Sequence, residues 1–211
     1  EAITASAIKL TATITDFDGD SVTSDAVDIG ASFTFEDDGP AVTIELDAQA
    51  TVTLDESGDQ AGALAGAASL NTGVIVKGDD PDVDGSNALS IATSGGAIVT
   101  FAANNPLYGA DGQGADPVYA LQIDTASLTD ITLTDGSTIT LQLVGDVIVG
   151  VVDNGTFTGQ AAFAIGINAS TGNVTVEQYL SLEHPDNPDQ DEPVTLDSGA
   201  ISVVVTVEDG D

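Results

Sequence analysis

The sequence has no cysteine, no methionine, no tryptophan and no arginine, and only two lysines, Lys9 and Lys77, carry positive charge. Each absence excludes something. Without cysteine there are no disulfides and no thiol chemistry. A single histidine, His184, cannot build a zinc centre of the His/Cys type. Without a basic footprint the chain has no means of holding nucleic acid, and an anionic membrane surface would repel it. No apolar run approaches the ~18 residues that a bilayer-spanning helix needs. Aromatics are scarce, at six Phe and three Tyr, and form no cluster that would serve as a sugar-stacking platform.

What is present is acid. Asp and Glu number 35, giving a formal net charge of −33. Most are Asp, which favours turns and short-range oxygen chelation, whereas Glu favours helices. Such a charge suggests disorder, but 42% hydrophobic residues and a positive mean hydropathy argue for a chain that folds. The cations cannot neutralise more than a few of the acids. A compact state therefore needs relief from another source.

Periodicity reads as strands almost throughout. Ile8, Leu10, Ala12 and Ile14 alternate with Lys9, Thr11, Thr13 and Thr15. Further strands are expected at 32–35, 41–46, 51–54, 73–76, 97–101, 118–123, 138–144, 147–152, 161–167, 173–180 and 200–207. Turn pairs such as Asp135-Gly136 and Asn154-Gly155 punctuate them. The only helix-compatible stretch, 60–70, carries Gly62 and Gly66 and reads as a loop or a single turn. The fold expected is all-β, a calcium-stabilised sandwich of Ig-like or cadherin-like type.

One strand and its turn occur twice. Residues 7–18 align with residues 200–211 at an offset of 193, matching Ile8 with Ile201, Leu10 with Val203, Asp16 with Asp209 and Asp18 with Asp211. This suggests one period of a tandem array. Residues 1–40 would close one sequence repeat, and 41–211 would form the main part of the next. Whether the physical domain begins after Pro40 or near residue 1 is open at this level.

Several motifs carry a resemblance. They are Phe35-Glu36-Asp37-Asp38-Gly39-Pro40, Asp16-Phe17-Asp18-Gly19-Asp20, Leu54-Asp55-Glu56-Ser57, Tyr108-Gly109-Ala110-Asp111-Gly112, and the run from Gly172 to Leu180 followed by Glu183-His184-Pro185. Together they resemble the large tandem repeats of RTX-type giant adhesins exported by type I secretion. The resemblance implies an extracellular, calcium-dependent stalk module on a Gram-negative cell surface, acting in attachment or biofilm formation. Its partners would be neighbouring repeats of the same chain, with no nucleic acid and no membrane insertion, and the module itself would be monomeric.

Calcium takes six to eight hard oxygens, which clustered Asp with a turn Gly can supply. The first candidate is the Asp16, Asp18 and Asp20 turn. The second is Asp80, Asp82 and Asp84, which begins like an EF-hand loop but has Ile91 at the twelfth position. The third is Asp186, Asp189 and Asp191 in a proline-rich loop. The fourth is Glu36, Asp37 and Asp38, which would either complete the Asp16 site or face the next repeat. Catalysis is not expected: His184 precedes Pro185 in an acidic loop, and no G-x-S-x-G elbow exists. A ligand-binding adhesin domain, recognising glycan or protein, is the alternative to a spacer. The Gly109–Gly114 stretch is expected to be a plain turn, and the Thr-x-Thr runs to be polar strand faces.

Overall fold

The computed structural model describes residues 3–54, 56, 70–81, 88–184 and 193–210. The chain divides into two compact units, residues 1–39 and 40–211. The expected helix-compatible stretch 60–70 falls outside the described residues except for Leu70.

The first unit consists of short antiparallel pairings. Strand β1 (Lys9–Leu10) pairs with β4 (Val27–Asp28), and β2 (Thr13–Thr15) pairs with β3 (Ser21–Thr23). Threonine and serine hydroxyls bridge the strands, Thr13 to Thr23 and Thr15 to Ser21, each at 2.8 Å. Of the strand expected over 32–35, Ser32 belongs to a 3-10 turn at Gly30–Ser32 and only Thr34 makes a β-bridge. Asp28 causes this break: its carboxylate accepts the backbone N–H groups of Ser6 and Gly30, curling the chain away from the ladder. Gly30 is the one buried residue among those described in this unit.

The second unit is all-β, with its strands in two layers. Its elements are β5 (Ile44–Leu46), β6 (Ser90–Ala97), β7 (Val99–Phe101), β8 (Gln113–Ile123), β9 (Ser127–Thr132), β10 (Thr138–Val144), β11 (Val147–Val152), β12 (Ala161–Ile167), β13 (Asn173–Gln178) and β14 (Ile201–Asp209). The main sheet has six antiparallel strands in the order β6-β13-β12-β11-β10-β9. A second layer, the ribbon β8-β14, lies across one face of it. A small pairing of β5 with β7 completes the unit.

The core follows from the alternation of side chains along each strand. Ile148 and Val152 of β11, Ile139 and Leu141 of β10, and Phe163 and Ile165 of β12 point towards the ribbon. There they meet Leu121 and Ile123 of β8 and Ile201 and Val203 of β14. On the opposite face Val147, Val149 and Val151 pack with Ala164 and Tyr179 under Leu70 and Ile75. Strand β11 is thus covered on both sides, which explains its unbroken apolar run. At Gly150 the ring of Phe163 sits where a Cβ would be, 2.5 Å from its nearest atom.

Two other expected strands are absent. Residues 73–76 form a turn, closed by Ile75 N–H to Thr72 O and by the Thr72 hydroxyl to Ile75 O. Residues 51–54 alternate between exposed and half-buried without joining a strand, and Val52 packs against the core. Of the expected turn over Gly109–Gly114, residues 109–111 form a turn, while Gln113 and Gly114 already belong to β8.

Candidate metal centre

The Asp16 turn joins β2 to β3. The ladder between these strands places Thr15 opposite Ser21, leaving Asp16 to Asp20 as the connection. Asp16 closes the turn in both directions. Its N–H donates to Asp20 O at 2.9 Å, and its Oδ1 accepts the Asp20 N–H at 2.9 Å. Gly19 has φ +100°, a backbone conformation that side-chain-bearing residues rarely adopt. The sharp turn brings the three carboxylates together, and one oxygen from each lies within 4.8 Å of the others.

This spacing suits a hard cation. Three carboxylate oxygens gathered this closely could hold a metal ion. The donor set is all oxygen, and the turn is exposed, so water can complete the shell. A hydrogen bond with the Asp18 side chain, followed by the Asp20 N–H, holds the Asp16 carboxyl below the ordinary carboxylate range. At neutral pH the group is therefore ionised and ready to ligate.

The other predicted acids are not part of this turn. Glu36, Asp37 and Asp38 are exposed on a stretch without regular structure at the end of the first unit. Asp80 Oδ2 accepts both the backbone N–H and the hydroxyl of Ser181, at 3.2 and 2.9 Å, so this acid tethers its loop to the end of the main sheet. Asp82, Asp84, Asp186, Asp189 and Asp191 lie outside the described residues.

DUF5801, described as a domain of unknown function, matches residues 51–211. The chain belongs to this family. No curated protein matches it, and no solved structure does. The DUF5801 span takes in β6 to β14, and the Asp16 turn lies before it. No helix among the described residues is long and apolar enough to cross a membrane.

Within the DUF5801 span lies a polar centre that sequence reasoning missed. Glu177 on β13 is 1% exposed and faces the apolar layer under Leu70. Its Oε1 accepts the Leu70 N–H at 2.7 Å. Its Oε2 accepts the Tyr179 hydroxyl at 2.6 Å and lies 3.2 Å from Lys77 Nζ. The same ammonium stands 5.0 Å from the centre of the Tyr179 ring. Burial, and then the adjacent Glu177, push the Tyr179 phenol well above its usual range. The only sequence signal was Lys77, one of two cations in a chain full of acid.

Nearby, Glu56 Oε1 accepts the Leu182 N–H at 3.0 Å and a hydrogen bond from Gln178 Nε2, and His184 Nε2 stands 3.7 Å from it. Together with Asp80, these contacts fasten segments distant in sequence to the end of β13. Their chemistry is that of structural tethers.

Proposed function

We propose that the chain is a calcium-stiffened spacer repeat in the stalk of a secreted bacterial surface adhesin. The observation that carries this reading is the Asp16-Asp18-Asp20 turn, where an oxygen from each of three carboxylates lies within 4.8 Å of the others in a chain of charge −33. The recurrence of the same strand and turn at residues 200–211 supports a tandem array with one such turn per period.

The charge and the ion act together. In a low-calcium cytosol, self-repulsion resists compaction and keeps the chain fit for export. At millimolar calcium outside the cell, an ion that binds only the folded turn stabilises it. A concentration one hundredfold above the dissociation constant contributes ~2.7 kcal/mol. An ion between two strands also limits bending at that point, so an array of repeats projects outward as a stiff rod.

The test combines thermal unfolding, in calcium and in chelator, with small-angle scattering of two linked repeats. Calcium should raise the melting temperature and lengthen the linked pair. Asp18→Ala should shrink the calcium-dependent gain in melting temperature. If melting and bending are both indifferent to calcium, the reading is wrong.

A further inference from the structure

The first unit carries an apolar face that the unit itself does not cover. Leu10 stands opposite Val27, and Ile14 opposite Val22. Directly opposed residues of an antiparallel pair share a face. All four are open to solvent, Leu10 by 60% and Ile14 by 70%. The internal repeat identifies what suits this face. Ile8 and Leu10 align with Ile201 and Val203, which in β14 pack on the core of the second unit. The residues left open in one copy of the strand are those that the other copy packs inward.

The backbone agrees. In an antiparallel ladder, alternate residues direct both N–H and C=O to the same edge. In the first unit the even positions face the arm that carries β3 and β4: Ile8 O accepts from Ile29, Ala12 O from Ser24, and Asp16 N–H donates to Asp20. In β14 the position facing β8 is Ala200, whose O accepts from Asp124, and the register continues through Ser202 with Gln122 and Val204 with Ala120. Ala200 aligns with Ala7, an odd position. The two copies of the strand therefore use opposite edges. One strand can hold a β8-type partner on one side and an arm of the β3–β4 type on the other, without competition.

We infer that this strand is shared between neighbouring repeats. The edge of residues 7–15 that takes no strand among the described residues is the seat for a Gln113–Ile123 strand of another copy of this domain. Ile8 and Leu10 then close that copy's core, as Ile201 and Val203 do in this one. Reciprocally, the second edge of β14 takes an extended arm equivalent to residues 21–28, whose Val22 and Val27 extend the inward face. The ribbon β8-β14 becomes a wider layer over the six-stranded sheet. This rests on the tandem-array reading and deepens it by naming the partner strand and the edge it uses.

The experiment lengthens the full chain by a second copy of residues 19–39 placed directly after Asp211, which aligns with Asp18. Amide hydrogen exchange is measured residue by residue in the original and lengthened chains, in calcium and in chelator. The amides of Ile201, Val203 and Val205, which face away from β8, should slow by at least about tenfold on lengthening. The amides of Ser202 and Val204, already directed at β8, serve as internal controls. A Val22→Asp change in the appended copy should reverse the gain. Slowing in both solutions supports the shared strand and refutes a role for calcium at this junction. Slowing in calcium alone supports both. Unchanged rates at all three amides overturn the shared strand, even if calcium still raises the melting temperature.

Discussion

Replacing Lys77 by Met tests the buried centre around Glu177. The Glu177 carboxylate is 1% exposed, and its partners include Leu70 N–H, the Tyr179 hydroxyl and Lys77 Nζ. At 3.2 Å, in an effective dielectric of about 20, the Lys77–Glu177 attraction is about 5 kcal/mol before desolvation. The lysine is 23% exposed, so part of that attraction is already offset by water. Removing one member of a buried pair costs about 3–5 kcal/mol, and the lower end applies because two hydrogen-bond donors remain on the carboxylate. Loss of the contact between Lys77 and the Tyr179 ring adds a few tenths of a kcal/mol or more. Lys77→Met should therefore lower stability by about 3 kcal/mol, or about 6–12 °C in melting temperature for a unit of this size. Denaturant unfolding and calorimetry measure it directly. The double variant Lys77→Met/Glu177→Gln removes both charges. The amide can still accept from Leu70 and donate to the Tyr179 oxygen, so it should regain most of the loss. If Lys77→Met costs less than about 0.5 kcal/mol, or the double variant is no more stable than the single, charge pairing does not secure this centre.

Four further features are open to measurement. Calcium affinity at the Asp16 turn should be flat near neutral pH and fall in acid as pH drops through the lowered Asp16 value, because protons then compete for that carboxylate. Asp16, Asp28 and Asp135 are all held below the ordinary carboxylate range, so their contribution to stability is present above about pH 4 and is lost as pH falls through their lowered values; acid unfolding curves would show it. The Tyr179 phenol, raised by burial and by Glu177, contributes stability below about pH 10 that is lost only as pH rises through its higher folded value. Alkaline titration followed by tyrosinate absorbance should leave one tyrosine un-ionised until the fold opens, and Tyr179→Phe should remove that late component. Gly150→Ala forces the Phe163 ring to move, since the new Cβ would meet it at 2.5 Å, and should cost about 1–3 kcal/mol in urea unfolding.

Much of the sheet was legible because its signals were local. Strands β10, β11 and β12 begin and end where the apolar runs meet turn residues such as Gly145-Asp146. Strand β6 was missed because Ser90–Ala97 mixes small and polar residues without alternation; only its pairing with β13 makes it a strand. Strand β9 was missed because its two buried apolar residues, Leu128 and Ile131, stand three apart, which breaks the period of two. The Asp16 cluster was readable because its three acids lie within one turn. The Glu177 centre was not, because Leu70, Lys77 and Glu177 meet only after the chain has folded across the sheet. Asp80 shows the reverse case: an acid in a chelating pattern that the fold uses as a tether for Ser181.

The topology of the second unit also sets an order of events. Strands β9 to β13 follow one another in sequence and pair as neighbours, so this meander needs only short loops to close. The β8-β14 ribbon joins strands with the whole meander between them, from Ile123 paired with Ile201 onward. Whichever end of the chain leaves a narrow conduit first, the meander can form while the inward face of its sheet waits for both ribbon strands to emerge. Until then Ile139, Ile148 and Phe163 remain without their cover. A dense negative surface is useful in that interval, because partly closed copies repel one another rather than associate through the waiting face.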